Sequence, residues 1–196
     1  MVLKTVGIFG GTFDPIHFGH LITAQTLVEK RKLSKIIFVP SFTSPHKINY
    51  KYSEPEHRFN MTKLAISSHP NFDISDFEIN RDEVSYTYNT LAEFAKKYES
   101  LELIIGFDNL ISFDLWYKAD EIVKIADLVV LKRTYDKEIK KPNKFFSDAI
   151  FVDTPTIEIS STEIRKRVSK NLPIDYFVPQ TVKEYIHENK LYLNYK

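Results

Sequence analysis

Cysteine is missing from all 196 residues of the chain. That excludes disulfides, thiolate metal centres and a cysteine nucleophile. No run of 18 apolar residues occurs, so no membrane-spanning helix is expected. The N-terminus, MVLKTVGIFGG, lacks the apolar stretch and small-residue cleavage site of a secretory signal. Charge of one sign is not in excess either. Lys and Arg number 27 and Asp and Glu 26, a formal net charge of +1, which gives no broad pull toward nucleic acid or membrane. Tryptophan occurs once and glycine five times. What is present is an ordinary globular mixture, 43% hydrophobic and 27% charged. The length suits a single domain with a sizeable core, and the expected location is the cytoplasm.

Short apolar runs alternate with helical periodicity. TVGIFG, IIFVP, FDISDFEIN, LELIIGFD, DLVVLKR and AIFVDT read as strands. Between them, Leu21, Ala24, Leu27 and Val28 recur at helical spacing, as do Leu91, Phe94, Ala95 and Tyr98. PEHRFNMTKLAISS is a further helix, with Phe59, Leu64 and Ala65 expected inward. STEIRKRVSK and PQTVKEYIHEN close the chain as helices. Strands apolar on both faces, interleaved with helices, predict an α/β fold with a parallel sheet covered on both sides. The core runs to about residue 155, and a helical part covers about 156–196. In such sheets ligands bind beyond the carboxyl ends of the strands. Gly10, Gly11, Ser41–Lys47, Gly106, Asp108 and Arg133 all fall at such ends.

The stretch GIFGGTFDPIHFGHL holds four of the five glycines and two of the six histidines. Glycines after a strand allow a sharp turn and a close approach of ligand to the main chain. Neither G-x-G-x-x-G nor G-K-[ST] is present, so this is neither a dinucleotide fingerprint nor a Walker loop. His17 and His20, three apart at a helix start, share one face, and Gly19 leaves room beside them. Three roles are open for the pair on spacing alone: helix capping, metal ligation, or donation to a phosphate that gains charge during a reaction.

A second motif favours the phosphate. ISSTEIR, residues 159–165, places hydroxyls ahead of a helix, with Thr162 or a neighbouring serine as its cap. Arg165 sits one turn in, where a cation opposes the helix dipole unless an anion is bound there. Hydroxyls, free N–H groups and a guanidinium then converge on one anion.

GGTFDPIHFGH and ISSTEIR together resemble the HxGH nucleotidyltransferase superfamily. SYTYNTL (85–91), LIIGFDNL (103–110), Trp116 and LVVLKR (128–133) narrow the resemblance to the bacterial nicotinate mononucleotide adenylyltransferases of NAD biosynthesis. It runs nearly end to end. The resemblance implies a Rossmann-like fold and adenylyl transfer from ATP, with Mg²⁺ accompanying the phosphates, to nicotinate mononucleotide. His17, His20 and Arg165 are implied as catalytic. Gly10, Gly11, Thr12 and Phe13 would form a main-chain cradle, with Gly19 alongside. Ser161, Thr162 and Arg165 would hold the β- and γ-phosphates, and Lys47 a phosphate of either substrate. Gly106 and Asp108 would face the nucleotide, Asp108 bonding a ribose, with Arg133 near the adenine. Tyr86, Thr87 and Trp116 would form the nicotinate pocket, Trp116 stacking on the pyridine. Phosphopantetheine or nicotinamide mononucleotide as acceptor, and a regulatory nucleotide-binding module without turnover, are the alternatives. The chain departs from the family pattern at Ser44, in the loop holding Lys47. It departs at Phe107, expected to add bulk near the ribose, and at Asp82 and Glu83, expected to face solvent.

Overall fold

The structure is a computed structural model that describes residues 4–43, 52–81, 83–132 and 142–195. Six strands form one parallel sheet: β1 (Val6–Gly11), β2 (Lys35–Pro40), β3 (Phe72–Ile74), β4 (Leu101–Gly106), β5 (Asp127–Lys132) and β6 (Ile150–Asp153). Their order is β3-β2-β1-β4-β5-β6. Connections from β1 run outward one way through β2 and the other way through β4, so the order reverses between β1 and β4. That reversal opens a crevice above the two neighbouring strand ends, Gly11 and Gly106.

Among the described residues seven helices cover the faces: α1 (Phe18–Arg31), α2 (Pro55–Ile66), α3 (Thr87–Phe94), α4 (Phe107–Ile111), α5 (Ala119–Ile125), α6 (Ser161–Ser169) and α7 (Gln180–Glu188). Alternation along the strands splits the core in two. Phe9, Phe38, Ile104 and Val129 meet α1, α2, α6 and α7 through Ala24, Leu27, Met61, Ile164 and Val182. Ile8, Val39, Leu103 and Val130 meet α3 and α5 through Leu91, Phe94 and Ile122. The closing helices α6 and α7 therefore bury their apolar stripes in the same cluster as α1 and α2. No helix of the described residues is long and apolar enough to cross a membrane.

Two expectations are corrected here. FDISDFEIN is a strand only over Phe72–Ile74. The Ser75 N–H bonds Phe38 O at 2.9 Å, and the chain then leaves the sheet for a 3₁₀ turn at Ile79–Arg81. In α2 the buried residues are Arg58, Met61, Thr62 and Ile66, while Phe59 and Leu64 are only half-buried. Two polar residues replace the anticipated apolar ones because both are satisfied inside. The Thr62 hydroxyl donates to Arg58 O at 2.8 Å, and Arg58 finds carbonyl partners described below.

Candidate active site

The first loop departs from the glycine turn that the sequence suggested. β1 continues through Gly11, and no glycine takes a positive φ. The left-handed residue is Phe13, at φ 49. A bulky side chain in that region costs roughly 1–2 kcal/mol and persists only where its surroundings hold it. Here they do. The Phe13 ring is buried among Phe9, Phe38 and His20, with centroids 5.8, 5.7 and 5.1 Å away. Gly11 is the space that this ring needs, since a Cβ there would stand 2.7 Å from a Phe13 ring carbon. Gly10 serves the opposite purpose. A Cβ on it would meet nothing within 4 Å, and it is exposed, so its missing side chain keeps open space open.

Arg58 holds this loop from below. Its guanidinium donates to Thr12 O (3.0 Å), Ser41 O (2.6 Å), Phe42 O (2.9 Å) and Ser53 O (3.0 Å). Three segments are thereby tied to one buried cation. The Asp14 carboxylate accepts from the Tyr192 hydroxyl at 2.7 Å and from the Ser53 N–H at 3.3 Å. None of Arg58, Tyr192 or Tyr195 was singled out in the sequence. Arg58 left one trace, a charge at the helical spacing of the buried stripe. The tyrosines left none, because their partners lie far away along the chain.

His17 caps α1 and His20 is its third residue. The rings stack, with centroids 3.7 Å apart and planes at 26°. His20 Nδ1 accepts the His17 N–H at 3.3 Å, which assigns the His20 proton to Nε2. Gly19 makes room for the stack, since a Cβ there would lie 3.0 Å from the His17 ring. Burial lowers the His17 pKa to about 4, and burial together with His17 holds His20 well below the ordinary imidazole value. Both rings are therefore neutral near pH 7. His17 Nδ1 is buried and has no hydrogen-bond partner among the described residues.

Residues 161–165 come back to this loop from 146 residues or more away. The Ser161 hydroxyl donates to Pro15 O at 2.9 Å. Arg165 Nη1 donates to Asp14 O at 2.6 Å, and Nη2 to Thr162 Oγ1 (3.2 Å) and Tyr195 Oη (2.9 Å). Its Nε is buried and has no hydrogen-bond partner among the described residues. The helix cap is Ser160, whose hydroxyl accepts the Glu163 N–H at 3.1 Å, so neither Ser161 nor Thr162 is the cap. An orphan nitrogen on Arg165 and another on His17 thus flank the same short loop.

Beside the loop a cavity of about 470 Å³ opens at the reversal of strand order. It brings together Gly10 and Gly11 from β1, Thr12 just after it, Gly106 from β4, Tyr86 and Thr87 from the start of α3, and Trp116. Trp116 is half-buried and packs on Phe113, with centroids 5.1 Å apart. His17, His20, Asp108 and Arg165 do not line the cavity. Asp108 is exposed on the first turn of α4. Lys47 and Arg133 lie outside the described residues, as do Ser44 and Asp82. The Phe107 ring packs against Phe146 and Phe151, 6.0 and 6.5 Å away. Glu83 is exposed and paired with Arg81.

The donor set around residues 12–17 is N–H groups and a guanidinium, and its nearest carboxylate, Asp14, is committed to Tyr192 and Ser53. Among the described residues no group of three His, Asp or Glu side chains could hold a metal ion. Such a set fits phosphate oxygens.

Comparison with known proteins agrees with this geometry. Residues 8–167 match the family model described as cytidylyltransferase-like. The chain is 44% identical over 193 residues to a probable nicotinate-nucleotide adenylyltransferase of Caldicellulosiruptor saccharolyticus, covering 95% of this chain and 98% of that one. It is 39% identical to the nicotinate-nucleotide adenylyltransferase of Bacillus subtilis, covering 97% and 99%. In fold it is similar to the Plasmodium falciparum nicotinic acid mononucleotide adenylyltransferase complexed with NaAD, at TM-score 0.78 and 23% identity over 96% of this chain and 97% of that one. The chain belongs to the cytidylyltransferase-like family and, within it, to the nicotinate-nucleotide adenylyltransferases.

Proposed function

We propose that the protein transfers the adenylyl group of ATP to the phosphate of nicotinate mononucleotide, releasing pyrophosphate and forming deamido-NAD. A mononucleotide phosphate oxygen attacks the α-phosphorus, and the bond from that phosphorus to the bridging oxygen of the β-phosphate breaks. The nucleophile is already anionic at neutral pH and needs no base. The site's task is to hold two anions in line and to neutralise charge growing on the α-phosphate and the leaving group. Mg²⁺, bound to the phosphates, would supply part of that neutralisation.

The observation that supports this reading best is the two-ended crevice. One end is walled by the Gly10–Thr12 main chain, and the loop that follows it is flanked, outside the cavity wall, by His20, whose proton is on Nε2, and by Arg165. The other end is aromatic and begins a helix, with Trp116, Tyr86 and Thr87 on its wall. A flat ring bearing a carboxylate suits that end, through stacking on Trp116 and donors of the first turn of α3. In this reading Ser161, Thr162 and Arg165 take the β- and γ-phosphates, Asp108 a ribose, Lys47 a phosphate and Arg133 the adenine side.

The test is pyrophosphate release from ATP and Mg²⁺ with nicotinate mononucleotide, nicotinamide mononucleotide or phosphopantetheine. The expected result is a kcat/KM for the nicotinate form at least about tenfold above the amide form, with phosphopantetheine inert. Release mainly with the amide would overturn the acceptor. Release with none of the three would overturn the reaction.

A further inference from the structure

The cavity wall contains an acid that the reaction above does not use. Glu78 is buried and lines the cavity, and its Oε1 accepts a 2.6 Å hydrogen bond from Thr90 Oγ1. Burial pushes its carboxyl upward in pKa, and hydrogen bonds from Thr90 and Ser85 and the charge of Arg58 pull the other way. The Ser85 oxygen is also occupied from its far side, accepting the Phe42 N–H at 3.0 Å. Phe42 O in turn accepts from Arg58 at 2.9 Å. Polar links therefore run from Arg58 through Phe42 to Ser85, and Thr90 holds Glu78 from α3 on the same cavity wall. Ser85 is also fixed through its backbone, its N–H bonding Thr43 O at 2.9 Å.

The two residues after Ser85 are Tyr86, the cap of α3, and Thr87, its first residue, and both line the cavity. We propose that Glu78 is a positioning residue for the mononucleotide side of the site. Its carboxylate takes the Thr90 hydroxyl proton and shares the cavity wall with Ser85, and so holds the first turn of α3 beside the 85–87 turn, which Phe42 and Thr43 tie to the loop that follows β2. The wall that receives the acceptor ring is then set before the acceptor arrives. A carboxylate suits this task better than an amide. A carboxylate presents an acceptor oxygen on each side, toward Thr90 and toward the cavity, whereas an amide presents one acceptor and one donor. A misplaced wall costs binding and rate without any loss of direct contact.

This inference rests on the assignment of the Trp116 end to the mononucleotide, and the experiment separates the two. Glu78→Ala, Glu78→Gln, Thr90→Val and Trp116→Ala are compared by steady-state kinetics, varying each substrate in turn, with the melting temperature recorded for each variant. Glu78→Ala is expected to lower kcat/KM for the mononucleotide roughly tenfold or more, while KM for ATP moves less than about twofold. Glu78→Gln and Thr90→Val are each expected to give an intermediate loss of roughly threefold. Their double variant should lose less than the product of the two, because they break the same link. If Glu78→Ala does not fold, this pair carries the test. Equal losses for both substrates, or a fall in melting temperature with both KM values unchanged, would reduce Glu78 to a structural role and overturn the proposal. A mononucleotide KM that rises with Trp116→Ala but not with the Glu78 variants would overturn the positioning role alone. One that moves with neither would overturn the assignment of the cavity, and this proposal with it.

Discussion

At the scale of single residues, adjacent glycines in this loop do different work, and that difference can be measured. Gly11 is required by the protein itself, because the Phe13 ring occupies the place where its Cβ would stand. Gly10 is extended and open, so the fold has no use for its missing side chain. Gly10→Ala should leave the fold intact and raise stability slightly, by about 0.4–1 kcal/mol, because alanine restricts the unfolded chain. The same methyl group would project toward the cavity and hold substrate off the main chain, so kcat/KM should fall roughly tenfold or more. Gly11→Ala should lower stability instead. Urea unfolding beside steady-state kinetics reads both effects. A Gly10→Ala protein with full activity would show that no substrate approaches this stretch of backbone.

Among the elements, α2 carries more of the site than its distance along the chain suggests. Arg58 joins Thr12 of the first loop to Ser41, Phe42 and Ser53. Arg58→Met would fill a similar volume and leave those four carbonyls without their cation. The expected loss is roughly 3 kcal/mol or more of unfolding free energy, since each buried acceptor left unpaired costs about 1–3 kcal/mol. Arg58→Lys should recover only part of it, because a single ammonium cannot reach four acceptors arranged for a planar fork. A denaturation midpoint within about 0.5 kcal/mol of the parent for Arg58→Met would remove Arg58 from its bracing role. This element also marks the limit of what the sequence discloses. The parallel strands were legible because burial on both faces leaves continuous apolar runs such as LELII and DLVVL. The histidines were legible because their spacing is local to one helix turn. The α2 stripe was misread because Arg58 and Thr62 look like surface residues until their partners are in place. FDISDFEIN alternates like a strand, yet pairing ends at Ile74, where the Ser75 N–H makes its bond to Phe38 O and the chain turns away. The Tyr192–Asp14 and Tyr195–Arg165 bonds span 178 and 30 residues and have no periodicity to read.

For the whole molecule, the fold brings three distant segments to one short loop and removes water from two imidazoles there. Burial holds the stacked rings of His17 and His20 neutral near pH 7. This has two consequences with definite signs. Without ligand, the folded His17 titrates near 4, below the 6.5 of an exposed imidazole. The unfolded chain therefore takes up the proton first as pH falls. The stability that His17 contributes is complete above about pH 6.5 and is lost as pH drops toward 4. With a polyphosphate in place the sign reverses, because adjacent negative charge favours the imidazolium and raises both pKa values. Binding of ATP should then take up protons, and ATP affinity should rise as pH falls from 8 toward 6. Calorimetric titration at pH 6, in buffers of different ionisation enthalpy, measures that uptake directly. The His17→Asn/His20→Asn double variant supplies the reference for protonation of ATP itself. Uptake that the parent shows and the double variant lacks would place the triphosphate against the stacked pair. Equal uptake by both would place it elsewhere in the crevice, and the neutral pair would then serve only to cap α1.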